Sequence, residues 1–120
     1  MNLVLLVEDN EKNLKLLRDV LTAKGYRVLE ATTGEAAVEL TLAEEPRLVL
    51  MDVQLPGIDG VEALRRVRAD PRTTGVPVLA LTAQAMDGDR ERFLAAGFDG
   101  YLSKPVDIVE LLATVAAYMH

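Results

Sequence analysis

Five short apolar runs alternate with five helical patterns along this chain, and that alternation leaves few folds open. Leu3 to Val7 reads as a buried strand ending at Glu8-Asp9-Asn10. A helix follows, with Leu14, Leu17 and Leu21 on one stripe, Leu16 and Val20 widening it, and Gly25 as its stop. Arg27 to Ala31 is a second strand, less uniformly apolar and so nearer an edge. Thr33-Gly34 opens a helix carrying Ala36, Ala37, Val38, Leu40 and Ala43, closed by Pro46. Leu48 to Met51 is uniformly apolar, as suits a strand buried on both faces. Val61, Leu64 and Val67 mark a third helix with Arg65, Arg66 and Arg68 outside, and Asp70-Pro71-Arg72 with Gly75 makes the next turn. Val78 to Leu81 is a fourth buried strand. A fourth helix is expected from about Met86 to Ala96, stopped by Gly97; its polar start, Asp87-Gly88-Asp89, marks it as one of the more mobile elements. Tyr101 and Leu102 make a short fifth strand. Asp107, with Glu110 three residues later, opens a last helix patterned by Ile108, Leu111, Leu112, Val115 and Met119. Such alternation calls for an α/β fold: a five-stranded parallel sheet with helices on both faces and right-handed crossovers.

Composition narrows the function. At 120 residues the chain suits one domain with a real core. The net charge of −6 argues against direct binding to nucleic acid or an anionic membrane, because phosphate contacts need clustered Lys and Arg. The absence of cysteine removes thiol chemistry and Cys-based zinc sites, and fits a cytoplasmic protein. The opening apolar run of five residues is too short for a signal sequence or a membrane span. The lone histidine, His120, is the last residue and reads as a frayed terminus.

Chemistry gathers at the carboxyl ends of the strands, where open α/β sheets place their ligands. The first strand delivers Glu8 and Asp9, the third Asp52, the fourth Thr82 and the fifth Lys104. Asp52 directly follows a buried run, and Pro56-Gly57 with Asp59-Gly60 forces a loop after it. Three clustered carboxylates repel one another unless a cation sits among them, and hard oxygen ligands suit Mg²⁺. Lys104 adds a compensating charge and Thr82 a hydroxyl donor. Taken singly these residues have plainer readings: Glu8 or Asp9 as a helix cap with Asn10, Thr82 as a strand-end hydroxyl, Lys104 as a solvated loop lysine. Together they suit phosphoryl transfer onto a carboxylate nucleophile.

Four segments carry a family resemblance: Val7-Glu8-Asp9-Asn10, Met51 through Gly60, Leu81-Thr82-Ala83 and Lys104-Pro105. In this order and spacing the chain resembles a two-component response-regulator receiver domain (CheY-like, with flavodoxin-like topology) along its whole length. The resemblance implies strand order 2-1-3-4-5. It also implies that Asp52 accepts a phosphoryl group from a histidine kinase or a histidine phosphotransfer protein. Mg²⁺ would be held by Asp9, Asp52 and the backbone carbonyl of Gln54, with Glu8 acting through water. Lys104 would pair with a phosphoryl oxygen, its bond to Pro105 being cis. Thr82 would swing towards the phosphoryl group past the small Ala83, and Tyr101, at the switch-aromatic position, would turn inward. Gln54 and Gln84 stand where the family tunes phosphoryl lifetime. The region from the fourth strand to the last helix would then present a new surface to a downstream protein partner. Such a protein is a signalling switch, catalysing only its own phosphotransfer and dephosphorylation.

The opening Glu-Asp-Asn-Glu-Lys-Asn and the Met-Asp-Val-Gln-Leu-Pro stretch most resemble single-domain regulators of the DivK kind and receivers fused to hybrid histidine kinases. A single-domain regulator is the simpler expectation, with an excised hybrid-kinase receiver as the alternative. Three further classes compete. A flavin carrier on this kind of sheet needs a Ser/Thr/Gly-rich phosphate loop where Glu8 and Asp9 stand. A phosphatase of the haloacid dehalogenase type puts its nucleophile on the first strand, with an acid two residues later. A phosphate-independent scaffold is opposed by the complete set of site residues.

Overall fold

The structure, a computed structural model, describes residues 2–83 and 89–119. The expected start of the fourth helix at Met86, and the positions of Gln84 and His120, lie outside the described residues. The elements are β1 (Leu3–Val7), α1 (Glu11–Ala23), β2 (Arg27–Ala31), α2 (Gly34–Glu44), β3 (Leu48–Asp52), α3 (Gly60–Ala69), β4 (Val78–Thr82), α4 (Asp89–Ala96), β5 (Gly100–Ser103) and α5 (Ile108–Tyr118). All strands pair in parallel, in the order β2-β1-β3-β4-β5, which puts the less apolar Arg27–Ala31 at an edge as its composition requires.

Strand periodicity divides the core into two layers. Val4, Leu6, Leu48, Leu50, Leu79 and Leu81 point to one face and pack with Leu14, Leu17 and Leu21 of α1 and Leu111 and Val115 of α5. Their neighbours Leu5, Val7, Val49, Met51, Val78 and Ala80 point the other way, against Ala37 of α2, Ala63 and Leu64 of α3, and Phe93 of α4. β3 and β4 are buried along their whole length. Each fully buried leucine there contributes about 2 kcal/mol through apolar burial.

The helix ends follow local chemistry. Asn10 caps α1 by accepting from the Lys12 and Asn13 amides at 3.0 and 3.1 Å, so the acids beside it are left for other work. Beyond α1, Gly25 takes φ +91°. The Tyr26 and Gly25 amides donate back to the Leu21 and Thr22 carbonyls at 3.1 and 3.0 Å, closing a Schellman motif. Asp59 and Asp107 cap α3 and α5 through the Glu62 and Glu110 amides.

Several expectations need correction. β3 and β4 run one residue further than their apolar runs, into Asp52 and Thr82, because neighbouring strands keep pairing there. Leu16 does not widen the α1 stripe: it is 51% exposed and lies outside the core cluster that holds Leu14, Leu17 and Leu21. Val61 is exposed at the start of α3, Ala63 taking the buried position instead. On α2, Ala43 is exposed and Thr41 buried, the hydroxyl returning to the Ala37 carbonyl at 2.7 Å. Arg68 is not outside; it folds back over the joint between α3 and β4.

Candidate functional site

The parallel order brings the carboxyl ends of β1, β3, β4 and β5 onto one rim. Glu8 follows β1, Asp52 ends β3, Thr82 ends β4 and Lys104 follows β5. Glu8, Asp52 and Thr82 are buried, whereas Asp9 is exposed. Backbone hydrogen bonds tie the rim across strands: the Val53 amide donates to the Leu81 carbonyl at 3.1 Å and the Lys104 amide to the Thr82 carbonyl at 2.7 Å. The Lys104–Pro105 peptide bond is cis, as the resemblance implied.

Side-chain geometry centres on Asp52. Its Oδ1 accepts the Gln54 amide at 2.9 Å, and its Oδ2 accepts from Lys104 Nζ at 2.6 Å. Lys104 Nζ also lies 2.8 Å from Glu8 Oε2, while Glu8 Oε1 accepts the Asn10 amide at 3.2 Å. Glu8 Oε2 is nonetheless a buried oxygen without an aligned donor, held to Lys104 by charge more than by a directed hydrogen bond. Burial raises the Glu8 pKa above the usual carboxylate range, with the Asp52 charge adding to it and Lys104 only partly offsetting it. Burial would lower the Lys104 pKa, but the hydrogen bond to Asp52 and the attraction of Asp52 and Glu8 outweigh it and hold the ammonium charged.

Glu8, Asp9 and Asp52 can each offer an oxygen with all three atoms within 4.8 Å of one another. Three carboxylates and one ammonium leave a local charge of two negatives, the complement of a divalent cation. The donors are hard oxygens, one on an exposed residue, which leaves room for metal-bound water. The under-satisfied Glu8 Oε2 adds a reason to expect a cation there. The residues present fit Mg²⁺.

Tyr101 stands opposite Ala80 on β5 and is half-buried, its ring 6.0 Å from that of Phe93 on α4. A shallow hollow beside it is lined by Leu94, Asp99, Gly100, Tyr101, Ser103 and Glu110. On the other side of Lys104 a small groove is lined by Leu16, Leu17, Pro105 and Val106, with Glu8 and Asn13 at its edge. Sequence reasoning missed this groove, and the exposure of Leu16 is what reveals it. It also missed Glu35, which reaches the loop after Asp52 from α2 and has no local signal for doing so.

A family model described as the response regulator receiver domain matches residues 4–116. The chain belongs to that family. The receiver is 40% identical to the polar-differentiation response regulator DivK of Brucella ovis over 116 residues, covering 97% of this chain and 94% of that protein. It is similar to the receiver domain of sensor histidine kinase PA1611 from Pseudomonas aeruginosa PAO1: TM-score 0.90, 39% identity, 98% and 96% of the two chains covered. That crystal structure has a magnesium ion coordinated in its active-site cleft. A third likeness, at TM-score 0.90, 30% identity and 97% and 87% coverage, is to the yeast (Saccharomyces cerevisiae) receiver domain of Ssk1, crystallised with the phosphotransfer protein Ypd1. This is a response-regulator receiver of two-component signalling. Among the described residues no helix is long and apolar enough to cross a membrane.

Proposed function

We propose that the receiver accepts a phosphoryl group on Asp52 from a phosphohistidine of a histidine kinase or phosphotransfer protein. One observation carries this reading: Asp52 is a buried carboxylate whose two oxygens are already aimed, one by the Gln54 amide and one by Lys104. Fixing a nucleophile in this way supplies much of what phosphoryl transfer asks of a protein. Mg²⁺, held by Asp9, Asp52 and the Gln54 carbonyl with Glu8 acting through water, would supply positive charge for the phosphoryl oxygens. Asp52 forms the new P–O bond as the P–N bond to the donor imidazole breaks, the electron pair leaving with the ring. Lys104 turns from the Asp52 carboxylate to a phosphoryl oxygen, and Thr82 donates its hydroxyl to another. Tyr101 follows Thr82 inward, and the surface of α4, β5 and α5 changes for a downstream protein partner. The apolar groove beside Lys104 would take a side chain of the donor next to the acceptor. Work in the cytoplasm fits the absence of cysteine.

Intact-protein mass after incubation with acetyl phosphate tests the reading. A gain of one phosphoryl group with Mg²⁺, absent with EDTA and absent in Asp52→Asn, is expected. Normal labelling of Asp52→Asn would overturn the assignment of the nucleophile.

A further inference from the structure

The loop from Val53 to Asp59 leaves Asp52 and carries the Gln54 carbonyl, so its shape matters to the site. Its ends are fixed by β3 and α3: the Gln54 amide donates to Asp52 Oδ1 at 2.9 Å, and the Gly60 amide to the Val53 carbonyl at 2.9 Å. Between those two pins the loop leans on the start of α2. Thr33 caps that helix by accepting the Ala36 amide at 3.1 Å. The next residue, Gly34, is buried against the loop so closely that a Cβ there would run into the Ile58 carbonyl oxygen. Glu35 then reaches over the loop. Its Oε2 accepts the Ile58 amide at 3.4 Å, a long bond, and the same carboxylate fills the space beside Gly57. Gly57 holds φ +75°, and a Cβ on it would sit 2.5 Å from Glu35 Oε1. Three contacts on consecutive residues therefore fit α2 to the loop: glycine against backbone, carboxylate against glycine, and carboxylate to amide.

We infer that the start of α2 positions the loop behind Asp52, with Glu35 as the positioning residue and divalent-cation affinity as the property it sets. This rests on the reading of the Gln54 carbonyl as a cation ligand. An unpinned loop must be ordered when the cation binds, and that ordering weakens binding. The plainer role of Glu35, an acid in the first turn of a helix, would act on helix stability and leave the loop untouched.

The experiment uses the metal-free chain and Mg²⁺ alone. Amide exchange at Ile58 is followed without metal, and Mg²⁺ affinity by titration, in the parent, Glu35→Ala, Glu35→Gln and Asp52→Asn. Glu35→Ala is expected to exchange the Ile58 amide about fivefold faster and to bind Mg²⁺ about fivefold more weakly, the scale of one modest hydrogen bond. Glu35→Gln keeps an acceptor at the same reach and should recover most of both. Unchanged Mg²⁺ affinity in Glu35→Ala, with Asp52→Asn binding lost, would overturn this inference and leave the metal site standing. Glu35→Gln as weak as Glu35→Ala would also overturn it, because charge and not the bond would be acting. Parental Mg²⁺ affinity in Asp52→Asn would overturn the metal site and the inference with it.

Discussion

The two ends of the sheet treat charge in opposite ways. At the carboxyl end, Glu8 and Asp52 are buried around one ammonium, and a Glu8 oxygen lacks an aligned donor. At the amino end, Arg68 donates to the Thr74, Val76 and Gly97 carbonyls and to Asp99 at 2.8 Å, and Asp99 in turn accepts the Val78 amide at 2.8 Å. There a guanidinium and its partners satisfy one another, whereas the other end gathers three carboxylates about one ammonium, which favours the proposed cation. A buried group short of partners costs stability, and folds retain such groups where function needs them. The contrast is a reason, independent of any relative, for proposing the carboxyl end as the working one.

The largest effect should come from removing the acceptor: Asp52→Asn is expected to lose all phosphoryl uptake while relieving carboxylate repulsion and keeping the fold, as intact mass and circular dichroism would check. The opposite end should respond the other way. Arg68→Ala would leave Asp99 and three carbonyls without their donor and cost about 2–3 kcal/mol in urea unfolding. Arg68→Lys should recover less than half, because an ammonium cannot reproduce the guanidinium's spread of donors.

Smaller still, Glu8→Gln should raise the melting temperature of the metal-free protein by about 3 °C at pH 8. The sign follows from the raised pKa of Glu8. A carboxyl raised in the fold is favoured protonated, so its contribution is present below the unfolded value of 4.5 and lost as pH rises through the folded one. The advantage of glutamine should therefore vanish near pH 4. An advantage that grew on acidification would break the contrast between the two ends. The smallest effect belongs to Glu62, at the surface of α3, where hydrogen bonds from Arg65 and then Arg66 lower its pKa to about 2. Its carboxylate should stay ionised until the pH falls to about 2. Glu62→Gln should barely move the melting temperature at pH 7, since solvent screens exposed pairs.

The sequence was legible wherever a residue's fate depends on its near neighbours. Strand alternation placed Val49, Leu50 and Met51, and the same counting put Glu8, Asp52, Thr82 and Lys104 on one rim. Arg68 escaped it, because its partners Gly97 and Asp99 lie 29 and 31 residues away. Leu16 escaped for a related reason: helical period says which residues share a stripe, not which of them a distant element covers. The Lys104–Pro105 isomer was legible only through likeness to a family, since nothing in the local residues dictates it.

The alternation of side chains along β3 and β4 has a consequence for traffic at the rim. Asp52 follows Leu50 and so belongs to the side of the sheet that meets α1 and α5, whereas Thr82 follows Ala80 and belongs to the side that meets α4. The groove lined by Leu16 and the hollow lined by Leu94 and Tyr101 share no residue. A donor seated at the groove, as proposed, would touch none of the residues that line the hollow. On the proposed reading, arrival and departure would not have to take turns, and the chain would be read on one side before its release on the other.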